Sequence, residues 1–293
     1  MTEIYCPVCG SSTHTPYIKN TLGNDLPPFD YAFTGRHMRT YEIVKCTECY
    51  HGFSIVPHKE LWRNYKSVID REYLSRQEER KLTARNVLEI ISKYKERGKL
   101  LDIGCATGDF LIEARKYYRD VEGLELSEWS ANIARGRGIC VHSCTLGDMP
   151  STEKYDIITL WGVIEHFENP QAEVKNIRRL LNNGGIVCLW TGDINNWLAR
   201  LLGRHWWYIQ GQHIQFFSKK SLKRLFNDKN FKTEAILNYP YTANISSLSK
   251  SLKRYENLNY IANRLINYQS LKNIIIKPHI PGEMLAIFRK QSI

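Results

Sequence analysis

The sequence predicts a doubly wound α/β sheet preceded by a small cysteine-bearing module. Three observations carry this. From residue 99 onward, short apolar runs alternate with helical patterns, as in parallel βαβ units. A glycine-bearing loop, LDIGCATGDF, closes the first of those runs. Two CxxC pairs, Cys6/Cys9 and Cys46/Cys49, lie in a turn-rich N-terminal segment.

In chain order, residues 1–57 are rich in Pro, Gly and turn formers, with short β-type runs such as 41–45. Residues 58–98 read as helix, with Leu61, Tyr65, Val68 and Ile69, then Leu82, Val87, Leu88 and Ile91, spaced to share one apolar face. KLLDIG (99–104), VEGLEL (121–126), ICVHSC (139–144), YDIITLWG (155–162) and IVCLWT (186–191) read as buried strands. Helices are expected at 107–118, 127–137 and about 170–181, with a turn at residues 184–185. Beyond them come a helix at 219–229, a strand near 232–237, a helical region at 247–272 and a last strand, MLAIFR (284–289). The expected division is a metal-binding module at 1–57, a helical linker covering the cofactor at 58–98, and a main domain at 99–293 with a helical insertion about 245–275.

Composition bounds the function. The 293 residues are 43% apolar, enough for a sizeable core. No run approaches the ~18 apolar residues of a membrane span, and MTEIYCPVCG has neither the basic start nor the apolar stretch of a secretory signal. The expected location is therefore cytoplasmic, peripheral at a membrane if the basic tail binds one. Eight cysteines in such a setting suit metal and core roles better than disulfides. Cys105, Cys140, Cys144 and Cys188 sit among apolar residues and read as ordinary buried thiols. The net charge of +11 is unevenly spread: residues 99–177 hold 8 Lys/Arg against 13 Asp/Glu, and residues 178–293 hold 18 against 5. A basic surface attracts phosphates, nucleic acid or lipid headgroups, and equally serves as a solvated face.

The acidic middle segment carries the candidate ligand site. Asp102, Gly104 and Gly108 lie where the first main-domain strand opens into a helix, so the backbone can turn tightly against a ligand. The pattern is not GxGxxG, which favours a ligand without a pyrophosphate. Asp102 suits a cationic group. Glu125 ends the next strand, where a carboxylate can accept the hydroxyls of a ribose, and Asp148 follows the third, within reach of an adenine amino group. Each acid alone also reads as a loop residue or helix cap. Three ending successive strands converge on one crevice.

The run from LLDIGCATGDFL through GLELSEWSANIAR and LGDMP to YDIITLWGVIEHFENP resembles the class I S-adenosylmethionine (SAM)-dependent methyltransferases over most of residues 99–191. The later GGIVCLWTGDINNWLARLLGRHWWYIQGQHIQFFSKKSLKRLF resembles the subgroup that methylates polysaccharides, lipid-linked glycans and secondary metabolites. The resemblance implies a Rossmann-like sheet of seven strands, the last inserted antiparallel. It also implies that Asp102, Gly104 and Gly108 line the methionine part of SAM, and that Glu125, with Leu126 beside it, binds the ribose. Asp148 and Met149 would flank adenine, and Trp161 would border the sulfonium.

Two thiolates three residues apart grip one face of a tetrahedral ion, and a second pair completes it. Cys6, Cys9, Cys46 and Cys49 are accordingly expected to hold a structural Zn2+ in a zinc-ribbon-like module, with a redox dithiol as the alternative. Similar modules precede the catalytic domain in several sugar methyltransferases. The longer sugar C-methyltransferases of this kind carry a further C-terminal domain, for which no counterpart is expected here.

Methyl transfer needs an aligned acceptor and removal of its proton. His166 and His213 are the candidate bases, each also readable as a hydrogen-bonded structural histidine. Trp206, Trp207 and Tyr208 precede His213 and are placed to stack on a sugar or planar ring, or to fill the core. Tyr65 and Tyr73 are candidates to cover the cofactor. The leading expectation is O-methylation of a sugar, glycolipid, nucleotide-sugar or related metabolite, with an anionic small-molecule or glycan acceptor. The basic stretch at 245–277 would act as a lid or as an amphipathic membrane contact. The competing reading is an RNA-modifying or RNA-binding methyltransferase, for which zinc knuckles and a basic face speak. Against nucleic acid, the fourth strand ends in WGVIEHF and not in the Asn/Asp-Pro-Pro-aromatic pattern of enzymes that methylate base amines.

Overall fold

The computed structural model describes residues 3–22, 39–56, 63–245 and 274–292. Among these, thirteen strands and seven α-helices form three sheets and their covering layers.

The N-terminal strands β1 (His14–Ile18), β2 (Ile43–Cys46) and β3 (Gly52–Ser54) pair antiparallel. A short helix α1 (Arg71–Ser75) and the long α2 (Gln77–Tyr94) follow, with Thr83, Ala84, Val87, Leu88 and Ile91 forming the buried stripe of α2. Strands β4 (Leu100–Ile103), β5 (Val121–Leu124), β6 (Cys140–His142), β7 (Tyr155–Trp161) and β8 (Leu181–Gly192) then alternate with α3 (Asp109–Ala114), α4 (Glu128–Gly136) and α5 (Pro170–Leu180). The remaining elements are α6 (Trp197–Leu202), β9 (Gln215–Phe216), α7 (Lys219–Asn227), β10 (Phe231–Asn238), the short pair β11 (Ala243–Asn244) and β12 (Ile275–Ile276), and β13 (Glu283–Lys290).

The main sheet has the order β10-β13-β8-β7-β4-β5-β6. β6, β5, β4, β7 and β8 run parallel, and β13 is antiparallel to both β8 and β10. This is the expected seven-stranded Rossmann-like sheet, with its antiparallel strand inserted one place inside the edge. All four residues of β4 are buried, because helices cover both faces of a parallel sheet. Alternate residues feed two cores. Leu101, Ile158, Val187 and Phe288 join the cluster that also contains Val174, Ile177, Leu222 and Phe226 of α5 and α7. Leu100, Ile157, Ile186 and Leu285 join the cluster containing Val87, Leu88, Leu111 and Ala134 of α2, α3 and α4.

The cysteine module shares the first of these cores: Cys6, Val8, Val44, Cys46, Cys49 and Phe53 are buried in it. Its sheet, ordered β1-β2-β3-β9, takes its last strand from the segment between α6 and α7. Packing is therefore continuous across residue 57, the boundary drawn from composition.

Three expectations change. The turn expected at residues 184–185 lies inside β8, which starts at Leu181; the pairing Tyr155↔Leu181 resumes at Ile157↔Ile186, so the extra residues form a bulge. Cys140 is exposed rather than a buried thiol, and Cys144 is half-buried, because β6 is an edge strand that buries only its central Val141 fully. The helical region 247–272, with nearly all of the 245–275 insertion, lies outside the described residues.

Candidate active site and cysteine cluster

The carboxyl ends of β4, β5 and β7 lie side by side at one edge of the parallel sheet, where folds of this kind bind their ligands. Between β4 and α3 the backbone is left-handed at Gly104 (φ 71°), Ala106 (φ 46°) and Gly108 (φ 81°). A Cβ on Gly104 would stand 2.6 Å from Val163 Cγ2, so the loop can follow this path only without a side chain there. Ala106 adopts the same unfavourable region with a Cβ present. Its strained N–H donates to Glu125 Oε2 at 2.8 Å, and Ser127 N–H donates to Glu125 Oε1 at 2.7 Å. Glu125 is thus buried at the end of β5 as the clamp of the glycine loop. Burial pushes its carboxyl above the usual range, and the backbone donors oppose that rise.

Asp102 is buried in β4 and accepts from Thr159 Oγ1 at 2.7 Å. Burial pushes its carboxyl up to about 8; the Thr159 bond opposes the rise and the nearby Glu125 adds to it. Asp102 and Glu125 together form an acidic floor. Asp148 is exposed, and its Oδ2 accepts from Thr145 N–H at 3.3 Å and Thr145 Oγ1 at 2.5 Å, capping the turn Leu146–Asp148. Met149 is buried below it, and Leu126 is half-buried beside Glu125.

Trp161 ends β7 with its ring 4.9 Å from Phe110, and its indole Nε1 is buried with no hydrogen-bond partner. An orphaned donor at a crevice is costly. Tyr65 and Tyr73 lie over the same loop: the Tyr65 hydroxyl bonds Glu125, and Tyr73 is close enough to feel Asp102, Asp109 and Glu125. Arg80 stacks 3.5 Å from the Tyr73 ring while its guanidinium bonds Asp109 at 2.6 Å, tying the covering segment to the start of α3.

The structure brings the two candidate histidines together, with ring centroids 4.9 Å apart and edge to face. His166 Nδ1 bonds the Gln212 carbonyl at 2.8 Å, and His213 Nδ1 bonds the Tyr208 carbonyl at 2.8 Å. A carbonyl only accepts, so Nδ1 carries the proton in each neutral ring and the lone pair lies on Nε2. Glu165 completes the cluster, a residue the sequence reading passed over. It is buried beneath the histidines and bonded by Thr191 Oγ1 at 3.2 Å and by Tyr208. Trp206 and Tyr208 are buried core residues that stack on each other, whereas Trp207 is only partly buried and bonds Glu283.

At the N-terminus, the four sulfurs of Cys6, Cys9, Cys46 and Cys49 lie within 4.8 Å of one another, with Cys6–Cys49 and Cys9–Cys46 each at 3.6 Å. A tetrahedron of sulfurs about 2.3 Å from a Zn2+ has edges of roughly 3.8 Å, so the set fits that ion. Each pair sits on the same local turn, closed by Gly10 N–H to Cys6 O at 2.9 Å and by Tyr50 N–H to Cys46 O at 3.0 Å. Both closing residues are left-handed, Gly10 at φ 74° and Tyr50 at φ 60°.

The strand order, the glycine loop and its acidic floor define the class as a SAM-dependent methyltransferase. The chain matches the methyltransferase-domain family model over residues 73–236 and belongs to that family. It is 26% identical to an uncharacterized protein of Methanocaldococcus jannaschii, over 53% of this chain and 67% of that one. It is 29% identical to a ubiquinone biosynthesis O-methyltransferase of Idiomarina loihiensis, over 43% and 58%. A dTDP-3-amino-3,4,6-trideoxy-alpha-D-glucopyranose N,N-dimethyltransferase of Streptomyces venezuelae is 28% identical over 42% and 55%. The chain thus spans little more than half the length of the last two. Among solved structures, a chain from a Haloferax volcanii complex of the Trm112 methyltransferase activator with a methyltransferase aligns with TM-score 0.55 at 13% identity, over 76% of this chain and 94% of that one. A SAM-dependent methyltransferase of Thermotoga maritima aligns with TM-score 0.50 at 18% identity, over 75% and 95%. At those identities the likeness is one of fold.

Among the described residues, no helix is long and apolar enough to cross a membrane.

Proposed function

We propose that this chain transfers the methyl group of SAM to an oxygen of a small anionic acceptor such as a sugar, glycolipid or nucleotide-sugar. The observation that carries this reading is the buried pair Asp102 and Glu125 at the carboxyl ends of β4 and β5, with His166 on the turn that follows the neighbouring strand β7 and His213 packed against it. Asp102 would face the ammonium group, with Gly104 and Gly108 giving the methionine part its room. Glu125 and Leu126 would hold the ribose, Asp148 would accept from the adenine amino group over Met149, and the orphaned Trp161 Nε1 would border the sulfonium. SAM supplies a methyl carbon whose bond to sulfur breaks as the acceptor oxygen attacks, the electron pair staying on sulfur. The chain's share is alignment of the acceptor and removal of its proton by Nε2 of His166 or His213. The O-methyltransferase and sugar N,N-dimethyltransferase among the relatives support a small-molecule acceptor. The basic balance of residues 178–293 supports an anionic one, at a membrane surface or in solution.

In this reading Cys6, Cys9, Cys46 and Cys49 hold a structural Zn2+, residues 1–57 are the module it staples, and residues 58–98 cover the cofactor. Calorimetry with purified protein tests the core claim. Wild type should bind SAM at micromolar concentration. Glu125→Ala, which removes a carboxylate holding two backbone donors, should bind about 100-fold more weakly, the cost of roughly two charge-assisted hydrogen bonds. Absence of SAM binding in folded wild type overturns the reading.

A further inference from the structure

We infer that Glu165, His166 and His213 form a second metal site, one that takes a divalent transition-metal cation at the acceptor end of the crevice. This rests on the reading of that crevice as the acceptor site, and it deepens it.

The geometry has the features of a ligand set. One potential ligand atom from each residue lies within 4.8 Å of the other two. Two imidazoles and a carboxylate on one side of an ion leave positions open on the other, an arrangement suited to cations such as Mn2+, Fe2+ or Co2+. Both rings are oriented as metal-bound histidines are, with Nδ1–H held by a backbone carbonyl and the lone pair assigned to Nε2. The carboxylate is supported in the same way, by Thr191 Oγ1 and the Tyr208 hydroxyl.

The backbone around the cluster is laced so that its two segments cannot drift apart. The turn Ile164–His166 carries two of the residues, and Ile214 N–H, next to His213, donates to the Glu165 carbonyl at 3.0 Å. His166 Nδ1 crosses back to the Gln212 carbonyl. Such rigidity serves a site whose ligands must keep a fixed geometry. Glu165 is 1% exposed, and among the described residues no lysine or arginine forms an ion pair with it. A buried carboxylate beside two imidazoles brings together the negative charge and the nitrogen donors that a divalent cation takes.

An ion there would orient the acceptor through its open positions and make a bound hydroxyl more acidic. With the ion bound, the Nε2 lone pairs of His166 and His213 would hold it instead of acting as bases, and the hydroxyl proton would leave to water. The oxygen lone pair would form the new bond to the methyl carbon, and the carbon–sulfur bond would break with its electrons remaining on sulfur.

Mn2+ is the probe, since it favours nitrogen and oxygen ligands and leaves a thiolate site to zinc. Zinc-loaded full chain is titrated with Mn2+ and the loss of the free-ion electron spin resonance signal is followed. One Mn2+ per chain is expected, with spin-echo modulation from imidazole nitrogen. His166→Gln, at the half-exposed ligand, and Glu165→Gln should each weaken binding at least tenfold. No Mn2+ uptake by wild type, or uptake without imidazole modulation, overturns the inference whether or not the variants fold. Unchanged binding in both folded variants overturns it too. SAM calorimetry on the same samples separates the two claims: normal SAM binding without Mn2+ binding sinks the metal site alone, whereas loss of SAM binding sinks the reading beneath it.

Discussion

The cysteine cluster and the Glu165–His166–His213 cluster are built by opposite strategies. The four cysteines come as two local turns, each of which presents two sulfurs by its own backbone hydrogen bonding. The second cluster takes two side chains from one turn and the third from a segment 47 residues later in the sequence, held only by tertiary contacts. The two are also mechanically joined. β3, three residues beyond Cys49, pairs with β9, two residues beyond His213. Buried His51 Nε2 meets Gln215 Oε1 at 2.8 Å, Gln215 Nε2 donates to the Phe167 carbonyl at 2.9 Å, and Ser218 Oγ donates to the Cys49 carbonyl at 3.1 Å. A site made of distant pieces leans on one made of near pieces.

The largest test removes the local cluster. If the four cysteines hold the proposed Zn2+, Cys46→Ser should release it and lower unfolding free energy in urea by about 4 kcal/mol or more, the scale of a lost structural ion. A loss below about 1 kcal/mol would show that the cysteines staple nothing. The next breaks the joint. Gln215→Leu leaves His51 and the Phe167 carbonyl unsatisfied in the interior and should cost about 1–3 kcal/mol. Methyl transfer should fall more than SAM affinity does, because the substitution lies beside His213; an equal fall in both would deny the link.

A smaller effect comes from Asp102, whose carboxyl is held up at about 8 by burial. Its ordinary value is roughly 3.9, so the folded state keeps a proton that the unfolded state releases. The stabilisation is complete below about pH 4 and is lost as pH rises toward 8. Binding the SAM ammonium should then expel up to one proton at pH 7, seen as a calorimetric enthalpy that changes with buffer. Asp102→Asn should abolish the proton release; release that persists would exclude Asp102 as its source. Smallest of all, Ala106→Gly should raise stability by at most about 1 kcal/mol, through relief of the left-handed alanine, and a loss would mean that the loop needs the methyl group.

The same contrast explains what could be read from the sequence. The strands β4 to β8, the helices between them and β13 were legible because burial on both sides writes continuous apolar runs. The CxxC pairs were legible because their chemistry is local. Glu165 lay unseen inside VIEHF because a buried carboxylate looks like any other glutamate until its neighbours are known. β9 is two residues long and leaves no periodicity. Tyr50 takes the left-handed position that Gly10 occupies in the matching turn, so the kinship of the two knuckles shows in dihedral angles more than in residue types. The bulge in β8 hid behind a glycine pair that reads as a turn.

The insertion of β13 between β8 and β10 has a consequence for biogenesis. A ribosome delivers β10 well before β13, yet among the described residues β13 is the only strand with which β10 pairs. Until residue 290 has emerged, β8 presents a bare backbone edge and β10 a strand without a seat, and both are open to mispairing. The sheet thus closes late, and nascent chains arrested between residues 238 and 283 would be the ones that chaperones must shield.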